Sequence, residues 1–363
     1  MQLATLIDTY REALEQKYAD VLLPSHRRAL DAITRCRTPQ SGEVLARCTD
    51  CGQLEWHPCS CGHRSCPQCQ NHEVTQWLTR QREKLLPVDY FLVTFTLPAQ
   101  LRSLAWQHQR LLYAALFRAA IQTLKQFGLN PKHLGAEMGM TAVLHTHSRR
   151  LTYHPHLHVV VPGGGIDRTQ GVWKRTRYQY LFNEFALAAV FRGKCLQEIA
   201  QAGLSLPDKV PQDWVVDCRH AGRGETALEY LSRYLYRGVI KESNILSDAQ
   251  GQVTFRYTDR DSGKVFSETL DGEDFLWRVI QHVLPKGLHR VRDYGFLHHN
   301  AHQTLQGIQL ILQVVLQPIA RQERPSFCCS ACGGVMKVIL IKPTCREASL
   351  THTAQDPPKE VLA

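Results

Sequence analysis

The sequence predicts an α+β protein in which helices flank an antiparallel sheet and a small N-terminal module binds zinc. Three observations predict this class. Apolar residues recur at helical spacing near the N-terminus and over 101–127. Runs of β-branched and aromatic residues, typical of strands, occupy 89–97, 138–147 and 151–162. Seven of the thirteen cysteines fall between residues 36 and 69.

The helical pattern begins at the N-terminus and returns several times. Leu3, Leu6, Ile7 and Tyr10 lie on one helical face, Pro24 ends that pattern, and we expect Ser25 to cap a second helix that runs to about residue 33. Further helices are predicted over 72–86, 101–127, 180–202 with an interruption near Gly193, 226–239, 274–284 and 304–320.

The strand pattern predicts an antiparallel sheet. A short turn at 148–150 joins the strands 138–147 and 151–162, which favours a hairpin. A second hairpin is predicted from 253–257 and 264–269, and a basic strand from 289–296. We therefore expect a helical, zinc-binding and DNA-binding domain over 1–85, a sheet-containing domain over 86–300, a helix with a cysteine knuckle over 301–346, and a disordered tail over 347–363.

Charge and hydropathy limit the class of protein. Lys and Arg total 43 against 33 Asp and Glu, and this excess of +10 favours a polyanionic partner, with nucleic acid first. No apolar stretch approaches the ~20 residues that a membrane span requires. The N-terminus mixes charges early and does not resemble a signal peptide, so we expect a cytoplasmic protein and reduced thiols.

Two Cys-x-x-Cys pairs carry the strongest metal signal. Cys48 with Cys51, and Cys66 with Cys69, are separated by fourteen residues, and four thiolates complete a tetrahedral structural zinc site. A second zinc is predicted from a larger set whose four ligands the sequence does not select: Cys36, Cys59, Cys61, His57, His63 and His72. Near the C-terminus, Cys328, Cys329 and Cys332 resemble one further knuckle, which is half a site, and Cys345 is a candidate third ligand.

Alternating histidines indicate a different kind of metal site. His156 and His158 project from the same face of the strand 151–162, because successive side chains of a strand alternate. Two imidazoles on one face form half of a divalent-metal site. The third ligand is His145 on the preceding strand or His154, and the hairpin geometry favours His145.

Two tyrosines are candidate nucleophiles. Tyr230 and Tyr234 are four residues apart on a predicted helix, so their hydroxyls share one face. A phenol has a pKa near 10, so its attack on a phosphate requires a nearby metal or cation. Arg233 and Arg237 are candidate phosphate ligands on the same helix.

These motifs, in this order, resemble one family. Over roughly residues 30–300 the chain resembles the rolling-circle insertion-sequence transposases of the HUH tyrosine endonuclease superfamily, typified by insertion sequence ninety-one. The similar motifs are 36–38, the pairs Cys48/Cys51 and Cys66/Cys69, 86–87, 95–98, 144–146, 154–158, 161–165, 230–234 and 294–297. The family commonly has a histidine where this chain has Ser65, and Tyr236 adds a third phenol beside the predicted pair.

The resemblance implies a function. It places the HUH signature at 156–158, the paired nucleophiles at Tyr230 and Tyr234, and Mg2+ or Mn2+ at the histidines. Single-stranded DNA at the element ends, together with target DNA, is the implied partner, cut through a 5′-phosphotyrosine link in the bacterial cytoplasm or nucleoid. The alternatives are a plasmid relaxase or replication initiator with the same chemistry, a hydrolytic metalloenzyme, and a non-catalytic zinc protein that binds nucleic acid.

Overall fold

The computed structural model describes residues 2–226, 239–259, 262–315 and 326–343, with the side chains of 70–75 left aside. The chain forms two compact units. One contains Met1–Thr34 and His63–Glu323, and the other contains Arg35–Gly62 and Arg324–Ala363. The contacts between residues divide the chain after residues 34, 62 and 323. The sequence patterns predicted domain boundaries after residues 85, 300 and 346.

Eight α-helices occur in the described ranges. They are α1 Leu3–Lys17, α2 Pro24–Arg35, α3 Gln70–Arg82, α4 Arg102–Gln107, α5 Gln109–Leu129, α6 Glu184–Gln201, α7 Gly272–Ile280 and α8 His302–Ile311. The helix predicted over 101–127 is broken at His108, and α6 runs through Gly193 without interruption. Of the helix predicted over 226–239, only residues 226 and 239 are described, and of the helix predicted over 304–320, only 304–315.

Fourteen strands are described. They are β1 Glu43–Cys48, β2 Leu54–Pro58, β3 Asp89–Thr96, β4 Met140–His147, β5 Tyr153–Pro162, β6 Gly164–Asp167, β7 Val172–Arg175, β8 Val216–Arg223, β9 Ile245–Ala249, β10 Gln252–Thr258, β11 Val265–Asp271, β12 Val291–Tyr294, β13 Phe327–Cys328 and β14 Val335–Lys342. The strand predictions around β3, β4, β5, β10, β11 and β12 are confirmed. Both predicted hairpins form, since β4 pairs with β5 and β10 with β11, each antiparallel.

The central sheet of the first unit has five antiparallel strands in the order β12-β4-β5-β3-β8. One face, including Phe95, Leu144 and Leu157, is buried in a large apolar core with α5 and α6. The other face is covered in part by a second core, in which Leu92, Val143 and Val160 lie among residues of α3 and α8. The protein thus combines helices with antiparallel sheets, as the sequence predicts.

A three-stranded sheet, β11-β10-β9, also belongs to the first unit, where α1 lies against α7. The Tyr18 ring stacks on Trp277 with 4.6 Å between ring centroids, and its hydroxyl donates to Asp274 at 2.7 Å. Gly272 leaves room for the ring of Tyr10, whose carbons would come within 2.4 Å of an added Cβ. Any larger residue at 272 would therefore displace α1.

The second unit is a four-stranded antiparallel sheet built from both ends of the chain. Its strands lie in the order β13-β14-β1-β2, so that β1 pairs with β14 across nearly the whole sequence. The buried core is small and consists of Ala46, Cys48, Cys329 and Met336, with Phe327 packed against it. A unit of this size buries too little apolar surface to be stable without a further constraint such as a metal.

Candidate active site

Three histidines from two neighbouring strands meet on one face of the central sheet. His145 of β4 lies directly opposite His156 of β5, and His158 follows two residues later on the same face. Their exposed fractions are 7%, 9% and 9%. One ring nitrogen from each lies within 4.8 Å of the other two. The hairpin thus brings together the pair His156 and His158 and, as third member, the favoured candidate His145.

Hydrogen bonds orient the two imidazoles of β5. Nδ1 of His156 lies 2.7 Å from the backbone oxygen of His154, to which it donates. Nδ1 of His158 lies 3.0 Å from the hydroxyl of Thr94 on β3. Both Nε2 atoms consequently face the same space and are 3.2 Å apart. Such outer hydrogen bonds fix the tautomer of a metal-binding histidine and leave Nε2 as the ligand atom.

The cluster fits a divalent cation. Two nitrogens bound to one metal at about 2.1 Å and at right angles lie about 3.0 Å apart, close to the spacing of His156 and His158. The Nε2 of His145 is buried and has no hydrogen-bond partner among the described residues. Burial, helped by the neighbouring His158 and Arg290, holds the pKa of His145 well below its usual value. Its imidazole is therefore neutral, the form that binds metals.

The other candidate ligands are engaged elsewhere. A guanidinium nitrogen of Arg102 lies 2.6 Å from Nδ1 of His154, so this ring is paired with a cation. Burial and the Arg102 charge lower the pKa of His154 to about 4. His147 lies beyond a register shift in β4 and faces His282, with 5.3 Å between ring centroids. Neither ring belongs to the three-histidine cluster.

The predicted nucleophiles lie outside the described residues. Tyr230, Tyr234, Arg233 and Arg237 all fall within 227–238. The chain enters that segment from β8, the edge strand next to β3. Thr94 of β3 pairs with Asp217 of β8 on one side and with His158 of β5 on the other.

Four cysteines meet in the second unit, and they are not the four that the sequence spacing suggested. Cys48 and Cys51 lie with Cys329 and Cys332, and all four sulfurs are within 4.8 Å of one another. The measured Sγ separations are 3.4 Å from Cys48 to Cys332, 3.4 Å from Cys332 to Cys51 and 3.6 Å from Cys51 to Cys329. The prediction that Cys66 and Cys69 complete the site of Cys48 and Cys51 is wrong, because strand pairing brings the C-terminal knuckle there instead.

Hydrogen bonds and neighbouring sulfurs shift the thiol pKa values in opposite directions. Backbone amides of Cys51 and Asp50 lower the pKa of the Cys48 thiol to about 7. The Gly334 amide acts in the same sense on Cys332, but the sulfurs of Cys48 and Cys51 outweigh it and raise that pKa to about 12. Four thiols in contact cannot all ionise without a cation among them, which is what a metal supplies.

Four of the remaining cysteines form two pairs of neighbours, one pair in each unit. Cys36 and Cys61 of the second unit have sulfurs within 4.8 Å of each other, and so do Cys66 and Cys69 of the first. Cys59 and His63 belong to neither pair, and Nδ1 of His63 accepts the amide of Ser65 at 3.2 Å. His57 stacks on Phe327 with 4.0 Å between centroids. Cys328 stands outside the four-cysteine group, whereas Cys345 and the side chain of His72 lie outside the described residues.

Sequence reasoning missed two features. Thr94 gave no signal, since a threonine in a strand is ordinary. The pairing of Cys329 and Cys332 with Cys48 and Cys51 did have a signal in the sequence. The segments 48–52 and 329–333 share the pattern Cys-x-x-Cys-Gly. Arg64 lies close to Cys66 in sequence, and its guanidinium donates to the backbone oxygens of Leu284, Pro285 and Leu288 at 2.7–2.9 Å.

The three-histidine and four-cysteine clusters are candidate metal sites, and comparison with known proteins identifies the class of protein that carries them. Residues 139–304 match the family model described as putative transposase, and residues 6–97 match that of the transposase zinc-binding domain. The putative transposase y4qJ of Sinorhizobium fredii is 34% identical over 82% of this chain and 80% of its own length. The transposase for insertion sequence element IS801 of Pseudomonas savastanoi pv. phaseolicola is 31% identical over 68% of this chain and 63% of its own length.

The chain therefore belongs to the transposases of the insertion sequence ninety-one family, with an N-terminal zinc-binding domain. The resemblance stated from the sequence motifs is confirmed. DNA is accordingly its partner, and the positive charge is consistent with that partner. Across the described ranges, no helix combines the length and apolar character that a membrane crossing requires.

Proposed function

We propose that this transposase cleaves and rejoins single-stranded DNA through a 5′-phosphotyrosine intermediate, with Mg2+ or Mn2+ bound by His145, His156 and His158. The observation that carries the proposal is the convergence of three buried imidazoles on one face of a five-stranded antiparallel sheet. A sheet whose central strand carries the His-Leu-His signature is also what the HUH endonuclease fold implies.

Three imidazole ligands leave coordination positions open on a divalent cation. A cation held there would neutralise charge on a phosphodiester and favour the ionised form of a nearby phenol. The described part of the cluster contributes no carboxylate, so a divalent cation bound by these three histidines would keep its full positive charge for an anionic substrate. Thr94 and the His154 carbonyl hold the two imidazoles of β5 in place before DNA binds.

Tyr230 and Tyr234 are the proposed nucleophiles. The phenolate oxygen attacks phosphorus, the bond from phosphorus to the 3′ oxygen breaks, and that oxygen leaves as a 3′-hydroxyl after taking up a proton. The reverse attack by a 3′-hydroxyl rejoins the strand and frees the tyrosine, so no ATP is consumed. Arg233 and Arg237 are the proposed phosphate ligands.

The experiment uses labelled single-stranded oligonucleotides from the element ends, Mn2+, and a denaturing gel. We expect a covalent protein–DNA adduct that Tyr230→Phe combined with Tyr234→Phe abolishes. Tyr236→Phe is the matched control, since it removes a phenol from the same segment and should leave the adduct in place. Cleavage without an adduct would point to a metal-bound water as nucleophile, and an undiminished adduct in the double variant would refute the assignment of the tyrosines.

A further inference from the structure

We infer that Cys48, Cys51, Cys329 and Cys332 bind one structural zinc ion, so that the C-terminal segment is an integral part of the zinc module. The match to the zinc-binding domain covers residues 6–97 and includes two of these ligands. The other two lie far beyond it. The inference concerns the folding of the second unit and does not depend on the proposed cleavage chemistry.

The two knuckles have the same backbone structure. In the first, the amide of Cys48 donates to the oxygen of Gln53 at 2.8 Å, and that of Gly52 donates to the oxygen of Cys48 at 3.2 Å. In the second, the amide of Cys329 donates to Gly334 at 2.9 Å and that of Gly333 to Cys329 at 2.9 Å.

The glycine after each knuckle adopts the same left-handed conformation. Gly52 has φ +77° and Gly333 has φ +75°, values that residues with a side chain rarely adopt. Two turns of equal geometry, each presenting two sulfurs to the same point, are the two halves of a four-thiolate site.

The sulfur spacing fits zinc. With a Zn–S bond of about 2.3 Å and tetrahedral angles, ligand sulfurs lie about 3.8 Å apart. The separations of 3.4 and 3.6 Å in the cluster are close to this value and far from the ~2.05 Å of a disulfide. Four thiolate ligands fill the coordination sphere, so this site is structural and leaves no position for a substrate.

Contacts around the sulfurs hold the second knuckle in place. Glu55 of β2 accepts hydrogen bonds from the amide and the hydroxyl of Ser330, at 3.0 and 2.8 Å. The amide of Thr49 donates to the oxygen of Val335 at 3.0 Å. The second knuckle is thus hydrogen-bonded to β2, the strand that follows the first knuckle, and the first knuckle is hydrogen-bonded to β14, the strand that follows the second. Because the apolar core beneath them is so small, a bound zinc is the constraint that stabilises the sheet.

The test counts zinc in the purified full-length protein by native mass spectrometry. We expect Cys329→Ser combined with Cys332→Ser to remove one zinc ion per chain, as should Cys48→Ser combined with Cys51→Ser. Cys328→Ser is the matched control, because this neighbouring cysteine is exposed and outside the cluster. If the Cys329/Cys332 variant keeps the full zinc content, the C-terminal knuckle is not a ligand and the inference fails.

Alkylation of the unaltered protein tests the same point without any variant. Cys51, Cys328 and Cys332 are all exposed, so burial protects none of them. With zinc bound, we expect iodoacetamide to modify Cys328 at least tenfold faster than Cys332 or Cys51. Removal of zinc by a chelator should abolish the difference. Equal rates for Cys328 and Cys332 in the metal-loaded protein would overturn the assignment.

Discussion

Thr94 determines which nitrogen of His158 faces the histidine cluster. Its hydroxyl lies 3.0 Å from Nδ1, so Nε2 is left for the metal. Loss of an outer hydrogen bond of this kind typically costs 10- to 100-fold in metal affinity. We therefore expect Thr94→Val to weaken Mn2+ binding by about 10- to 100-fold, measured by electron paramagnetic resonance. Thr94→Ser retains the hydroxyl and should bind nearly normally, and equal loss in both variants would argue against the hydrogen bond.

His145 and His154 are distinguished by the same measurement. His145 lies in the cluster with a buried, unpartnered Nε2 in the described structure, whereas His154 faces Arg102. We expect His145→Ala to weaken Mn2+ binding and adduct formation by at least tenfold. His154→Ala should change Mn2+ affinity by less than threefold. The reverse order of effects would make His154 the third ligand.

His26 predicts a pH dependence of stability. It is the third residue of α2, and its Nδ1 accepts a hydrogen bond from the amide of Leu23 at 3.2 Å. At the start of a helix this bond is more commonly made by a Glu or Gln side chain. Ser25, which the sequence predicted as the cap, is instead the second residue of α2. Burial lowers its pKa to about 4. The folded state thus favours the neutral ring, and the stabilisation is complete above the unfolded pKa of about 6.5 and is lost as the pH falls toward 4.

The test compares the wild type with His26→Gln, which keeps a hydrogen-bond acceptor but does not titrate. Between pH 6.5 and 4 the wild type should lose about 3 kcal/mol more stability than the variant, measured by urea unfolding at each pH. His282, whose pKa is lowered to about 4 chiefly by burial and to a lesser extent by the charge of His26, titrates in both proteins, so most of its contribution cancels in the comparison. Parallel pH profiles would show that His26 is not the titrating group.

At the scale of elements, Arg64 connects the segment before Cys66 to the turns that follow α7. Its guanidinium donates to three backbone oxygens, those of Leu284, Pro285 and Leu288. Burial lowers its pKa, and these hydrogen bonds keep the charge satisfied. We expect Arg64→Gln to destabilise the protein by about 2 kcal/mol, seen as a lower melting temperature. Arg27→Gln on the exposed face of α2 should change stability by less than about 0.5 kcal/mol.

Local sequence was a good guide to some elements and not to others. The strand and turn pattern at 138–162 specified the β4–β5 hairpin, and with it the meeting of His145 and His156, because both depend on neighbours in the chain. Pairing between distant segments leaves no such pattern. Strand β12 lies beside β4, and β1 beside β14, for reasons of tertiary packing that no short window contains.

The cysteines show the same limit. Fourteen residues separate Cys51 from Cys66, and this familiar spacing suggested one site. The structure instead joins Cys51 to Cys329, 278 residues away, because β1 and β14 are neighbours. The ligand types were predictable from the sequence, and the division of ligands between sites was not. A second zinc ion remains a prediction from the sequence.

At the scale of the whole molecule, the second unit depends on both ends of the chain. A chain ending at residue 315 lacks β13 and β14 and retains only the β1–β2 hairpin, which is marginally stable alone. We expect this truncated chain to bind one zinc ion fewer, and its amides at 43–58 to exchange hydrogen at least tenfold faster. Amides at 140–162 in the central sheet should remain protected. Continued protection of 43–58 would show that the hairpin folds without the C-terminal segment.

The pairing of β1 with β14 also determines when the four-cysteine cluster can be completed during synthesis of the chain. A ribosome that adds 5–20 residues per second makes Cys329 some tens of seconds after Cys51. During that interval the first knuckle has only half of its cluster, while the segments of the central sheet have already been made. A message that is cut short, or a chain that stops early, cannot complete the module. Translation to the end is thereby a condition for assembling this part of the transposase.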